Sequence, residues 1–295
     1  MFFKNHRKRT LCLLTAIIVL CITMLAAYLY RTELFYAARH VDKHYLGEAL
    51  KDLKARFETD EDWHVASKPR RYNYEWLENA DSPIFIAHGL GGRGNANSYA
   101  AFEESRALGF GLFELDIFLD NQGYLRCHHG PEAPEPFSGN DCTLPALMER
   151  LQDDEFIVLD IKTPFAETAA AIIEQTKEHR HSERLIFQLY FPEQIAIFHQ
   201  YMELVPLAGP IISVYNSKRS LNHAFRGIQK SGIKAFAFPY PRMPALTEQD
   251  QDITLFTFHV KNCRMQKDAF ANGIDGIYIR NDLKEKCRKK YQTGK

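Results

Sequence analysis

From residue 82 to the C-terminus, short apolar runs alternate with helical patterns, and this alternation restricts the fold more than any other feature of the chain. The strand-like runs are 84–87, 113–119, 156–161, 185–189, 210–214, 235–238, 254–258 and 276–279. The helical patterns between them are 99–107, 144–151, 165–178, 192–202, 219–230, 247–250 and 264–271. Strands separated by helices pair in parallel, because each helix carries the chain back to the starting end of the sheet. Eight such units in about 210 residues suit a closed barrel better than an open sheet. The expected fold is therefore an α/β, TIM-type (β/α)8 barrel over residues 82–295.

The N-terminus has a different character. Residues 11–30 carry no charge and are long enough to cross a bilayer as a helix. Lys4, Arg7, Lys8 and Arg9 precede them. The positive-inside rule keeps such a tail in the cytoplasm and sends the rest outward. The expected organisation is a basic tail over 1–10, a transmembrane anchor over 11–30, a helical stalk or linker over 31–81, and the barrel in the periplasm or outside the cell. A cleaved signal peptide is the rival reading, although its apolar core would be shorter, at about 7–15 residues. The basic cluster at 68–74 is read as a linker that could touch lipid phosphates.

The chain has 37 basic and 37 acidic residues, so no overall positive field favours general nucleic-acid binding. Outside the apolar span lie Cys127, Cys142, Cys263 and Cys287. An even number permits two disulfides, and four free thiols are the alternative. A Cys127–Cys142 bridge would close a loop behind the histidines, and Cys263–Cys287 would tie down the C-terminus. No CxxC spacing suggests zinc.

Polar residues collect where the strands end, which is where a barrel enzyme works. The first strand ends in Ala87-His88-Gly89. The second carries Glu114 and Asp116, which alternate onto one face about 7 Å apart. The turn Asn121-Gln122-Gly123 then sends the chain back to His128 and His129. The third strand ends in Asp160-Ile161-Lys162. Glu114, Asp116 and Asp160 offer oxygen ligands to a divalent cation, Mg²⁺ or Ca²⁺. His88 and His129 can remove and return a proton, and Lys162 can neutralise an anion. Together these groups suit cleavage of a phosphodiester. Gln188 on the fourth strand and His259 after the seventh can line the same mouth or be structural, and His128 is read as structural. The glycines at 91, 92 and 94 read as a flexible loop rather than a dinucleotide fingerprint.

The segments IAHG, NANSYAAF, ELDIFLDNQG, CHHG and LDIK resemble the glycerophosphodiester phosphodiesterase family, one of the phosphodiesterase barrels that include phosphatidylinositol-specific phospholipase C. That family shows His-Arg, PENTLAAF, ELDV, a TKDG-type turn, HHD and EIK in the same order. IFQLYFPEQ and IDGIYIRN extend the resemblance to the end of the chain. It implies that Glu114, Asp116 and Asp160 hold the metal and that His88 and His129 are the acid/base pair. The substrate implied is a glycerophosphodiester, a lysolipid or another phosphodiester of the envelope.

Four positions depart from the pattern. Gly89 stands where the family has arginine, and Arg93, four residues on, is the available substitute for a phosphate contact. Ala96 replaces a glutamate, Asp160 a longer glutamate, and Gly130 an aspartate. His-Gly and Asp-x-Lys resemble the sphingomyelinase D group, which implies a disulfide-closed loop near the second histidine and ring closure to a cyclic phosphate as an alternative reaction. A catalytically weakened barrel that binds a phosphorylated ligand or a partner is the third reading.

Overall fold

The computed structural model describes residues 71–130, 141–214, 218–229, 231–245 and 252–292, together with Thr23. The chain divides into a unit over Met1–Lys54 and a unit over Ala55–Lys295, and the second unit contains the barrel. Apart from Thr23, the segment expected to anchor in a membrane lies outside the described residues, as does the 31–70 part of the stalk. Among the described residues no helix is long and apolar enough to cross a membrane.

Among the described residues nine strands form the sheet: β1 Ile84–Ala87, β2 Leu112–Leu119, β3 Leu125–Cys127, β4 Phe156–Ile161, β5 Leu185–Leu189, β6 Ile211–Ser213, β7 Ala235–Pro239, β8 Thr254–Phe258 and β9 Gly276–Ile279. Eight of them pair in parallel. Because β1 pairs with both β2 and β9, the sheet closes into a barrel. The ninth, β3, is the return arm of a hairpin and lies antiparallel to β2. The helices are α1 Glu75–Glu78, α2 Tyr99–Ala107, α3 Leu144–Met148, α4 Phe165–Thr176, α5 Pro192–Met202, α6 Lys218–Gln229, α7 Cys263–Ala271 and α8 Asn281–Gln292. The eight expected strands are all present. The short helix expected at 247–250 lies outside the described residues, and a tight helical segment, Tyr240–Ala245, follows β7. Helix α8 was not expected from the sequence. It is rich in lysine and buries only a narrow strip that includes Leu283 and Cys287, one turn apart.

Strand alternation divides the apolar residues into two cores. Outward-facing side chains such as Phe113, Leu115, Ile157 and Leu159 pack under the helices. Inward-facing ones, among them Ile84, Ile86, Leu112, Phe156, Val158 and Phe256, fill the barrel. Tyr74 and Trp76, from the end of the segment expected as stalk or linker, join this inner core. The Tyr74 hydroxyl donates to Pro210 O at 2.9 Å, and Trp76 Nε1 donates to Gly209 O at 3.1 Å. The Trp76 ring lies 5.9 Å from that of Phe256. A fully buried indole removes enough apolar surface to contribute about 4–6 kcal/mol of transfer free energy.

Both permitted disulfides are formed. Cys127 and Cys142 have Cα atoms 5.3 Å apart, and Cys263 and Cys287 5.2 Å apart.

Candidate active site

Parallel pairing of β2 with β4 sets Asp116 directly beside Asp160. Glu114 lies two residues back on the same inward row. One oxygen from each of Glu114, Asp116 and Asp160 falls within 4.8 Å of the others, and all three residues are buried. The hairpin brings the histidine to them. Asp120 Oδ1 accepts from the backbone N–H groups of Gln122 (3.0 Å) and Tyr124 (2.8 Å), and Gly123 takes the left-handed φ of 86° that the reversal requires. The chain returns along β3, where His128 N donates to Asp116 O at 2.9 Å. The next residue, His129, places Nδ1 at 2.9 Å from Asp116 Oδ2 while its ring stays 65% exposed.

Lys162 Nζ lies 2.6 Å from Asp116 Oδ1 and also bonds Asp160 Oδ2. His88, at the end of β1, is within electrostatic reach of Asp116, Lys162, Asp160 and His129. Burial, the largest influence, lowers its pKa and favours the neutral imidazole. Burial likewise opposes ionisation of Asp116, but Lys162 and His129 outweigh it and hold this carboxyl far below its ordinary value. Glu114 moves the other way. Burial first, and then repulsion from Asp116 and Asp160, push it well above the ordinary glutamate value, against the opposing pull of Lys162 and a 2.5 Å hydrogen bond from Gly89 N.

Three buried carboxylates therefore face one lysine. Asp160 Oδ1 is buried with no hydrogen-bond partner among the described residues. A hard divalent cation bound by oxygen would satisfy both the excess charge and the orphaned atom, so these side chains fit Mg²⁺ or Ca²⁺.

The structure thus brings together His88, Glu114, Asp116, His129, Asp160 and Lys162. Arg93 pairs elsewhere, and Gln188, one residue past the Leu159–Phe187 pairing of β4 with β5, bonds two tyrosines. Arg93 is 75% exposed and pairs with Asp282 at 3.5 Å. Gln188 is buried in the barrel, where its Oε1 accepts from the Tyr278 hydroxyl at 2.8 Å and its Nε2 donates to the Tyr190 hydroxyl. The His128 ring packs edge-on against Phe118, in keeping with a structural role. His259 sits edge-on to His88 with ring centroids 6.1 Å apart, and its backbone takes φ 63°. Gly89 also has a left-handed backbone, φ 60°, and a Cβ placed there would lie 3.2 Å from Ala96 Cβ. The positions of the missing arginine and the missing glutamate therefore face each other, and a long side chain at 89 would be strained. Asn97 also belongs to the site, its side-chain amide donating to Asp116 Oδ2 at 2.7 Å. The available signal was that NANSYAAF keeps the asparagine of PENTLAAF.

Many solved structures similar to this fold are glycerophosphodiester phosphodiesterases. One from Thermotoga maritima is 18% identical with a TM-score of 0.54, covering 70% of this chain and 97% of its own. The chain shares their fold. One from Parabacteroides distasonis is 16% identical with a TM-score of 0.55, covering 71% of this chain and 97% of its own. An Oleispira antarctica phosphodiesterase, solved with the product sn-glycerol-3-phosphate, is 14% identical with a TM-score of 0.54, covering 72% and 98%. No protein-family model matches the chain, and no curated protein matches it by sequence.

Proposed function

We propose that this chain is a divalent-cation-dependent phosphoric diester hydrolase acting on glycerophosphodiesters or related lipid and envelope phosphodiesters. The observation that carries the reading is the meeting of three buried carboxylates with His129 and Lys162 on the strand ends of a barrel whose solved neighbours are glycerophosphodiester phosphodiesterases. Glu114, Asp116 and Asp160 would hold the cation. When bound, the cation supplies charge neutralisation at the phosphoryl oxygens and lowers the pKa of an attacking hydroxyl.

The protein's own groups handle the protons. Burial keeps His88 neutral, which suits it to accept the proton of the nucleophile. The Asp116 carboxylate receives Nδ1–H of His129, which leaves Nε2 to carry the proton delivered to the departing alcohol. Lys162, once a phosphate competes with Asp116 and Asp160 for its ammonium, neutralises the anion. Ring closure by a hydroxyl of the substrate is the second reading. It is favoured by Gly89 with its left-handed backbone, by the shorter Asp160, and by the Cys127–Cys142 bridge behind His129.

The test is turnover of glycerophosphocholine and lysolipids with Mg²⁺ or Ca²⁺, with products followed by phosphorus NMR. A linear monoester and a free alcohol support hydrolysis, and a cyclic phosphate supports ring closure. No turnover across such a panel by folded, cation-loaded protein would leave the binding-protein reading. We also propose that residues 11–30 anchor the chain with the barrel outside the cytoplasm. This predicts retention in carbonate-washed membranes and release by detergent, and release by carbonate would refute it.

A further inference from the structure

The loop between β1 and α2 contains Gly89 and Ala96 in place of an arginine and a glutamate, yet it grips both acidic residues of β2. Gly89 N–H donates to Glu114 Oε2 at 2.5 Å. Asn97 holds Asp116 twice: Nδ2 donates to Oδ2 at 2.7 Å, and Oδ1 accepts from the Asp116 backbone N–H at 3.1 Å. Asn97 N–H in turn donates to Gly89 O at 2.9 Å, which links the two grips.

We propose that Asn97 is the positioning residue of the carboxylate cluster, fixing the rotation of the Asp116 carboxylate so that it can share a divalent cation with Glu114 and Asp160. The inference rests on the cation-dependent function proposed above. The amide orientation is dictated by its partners. A backbone N–H only donates and an ionised carboxylate only accepts, so Oδ1 must face the first and Nδ2 the second. Asp116 Oδ2 then takes donors from Asn97 and His129, while Oδ1 takes Lys162. Turning the carboxylate would break all three contacts at once. Asparagine suits the position because it tolerates left-handed backbone, and here φ is 58°. Glycine would tolerate that backbone without supplying an amide, and glutamine would supply an amide on a longer arm.

Those properties define the experiment. In Asn97→Gly the left-handed backbone is retained and only the amide is lost, so a purely conformational role predicts wild-type behaviour. Mg²⁺ and Ca²⁺ affinity of the full chain in detergent is measured by calorimetry, alongside turnover and thermal unfolding. The expected result is cation affinity about 10–100-fold weaker, as for other groups that orient metal ligands, with turnover partly restored at high cation concentration. Should the glycine variant unfold, Asn97→Ser, which keeps a small polar group, is measured in the same way and is expected to lose less. A folded variant with wild-type cation affinity and wild-type turnover overturns this inference alone. Wild-type protein that binds neither cation overturns the proposed function and this inference with it.

Discussion

Leu112, Glu114 and Asp116 occupy one inward-facing row of β2, yet the two ends of that row have opposite surroundings. At the floor, Leu112 joins Trp76, Ile84 and Phe156 in an apolar core with its polar atoms tied off, such as Trp76 Nε1 on Gly209 O. At the mouth, Glu114 and Asp116 are equally buried but surrounded by charge, with Asp160 adding a third acid and Lys162 a single base. The floor adds stability through area removed from water. The mouth opposes stability through desolvated, mutually repelling carboxylates. The contrast shows where selection for function overrides packing within a single strand.

The largest effect that could break this contrast is in catalysis. Glu114→Ala is expected to lower turnover on the order of 10³-fold, since it removes a group that would hold the cation. The melting temperature should stay level or rise, because a repelled buried carboxylate is gone. His129→Ala should cost about 10²–10⁴-fold in turnover with little effect on melting, as its ring is largely exposed. A marked drop in melting temperature with unchanged turnover in either variant would place these residues in the scaffold instead.

Trp76→Ala tests the other end. It should destabilise the protein by about 3–5 kcal/mol in denaturant titrations, while the folded fraction keeps its turnover per molecule. Loss of turnover from fully folded protein would show that floor and mouth are coupled. Opening the loop behind His129 with Cys127→Ser and Cys142→Ser together should remove about 3 kcal/mol, the chain-entropy value for a loop of this size, and should lower turnover more than the equivalent change at Cys263 and Cys287. Equal effects on turnover would deny the first bridge a part in holding the hairpin.

The smallest effect is on pH dependence. Glu114 has its folded-state pKa raised, so in cation-free protein the folded state binds more protons than the unfolded state above the ordinary value of 4.5. Its contribution is fully present below 4.5 and is lost as pH rises through the folded value. His88 has the opposite sign. Its folded pKa is lowered, so its contribution is present above the ordinary value of 6.5 and is lost as pH falls through the folded value. Added Mg²⁺ or Ca²⁺ should raise the melting temperature more at pH 8 than at pH 5, because only the ionised cluster binds it. A shift that does not vary with pH would argue against these carboxylates as the binding site.

Much of the site can be read from the sequence because it is local. Glu114, Asp116 and His129 lie within one hairpin, and strand alternation with a turn signal brings them together. Asp160 and Lys162 could be read once eight strands had been counted. The bond from Tyr278 to Gln188 could not, because 90 residues separate the two and only barrel closure brings them together. Arg93 could not either, since Asp282 reaches it from the last helix. Trp76 lies before the first strand and has no periodic pattern to tie it to the floor.

The sequence by itself determined the eight parallel strands, the parity that faces each acid inward, and the turn that returns His129 to Asp116, since all three follow from the spacing of neighbours along the backbone. Tertiary structure decided the rest: that Asp116 and Asp160 are side by side, that Asn97 holds Asp116, and that Gly89 and Ala96 face each other in one loop. Those are contacts between segments brought together by sheet register and barrel closure, and register is set by how the whole core packs.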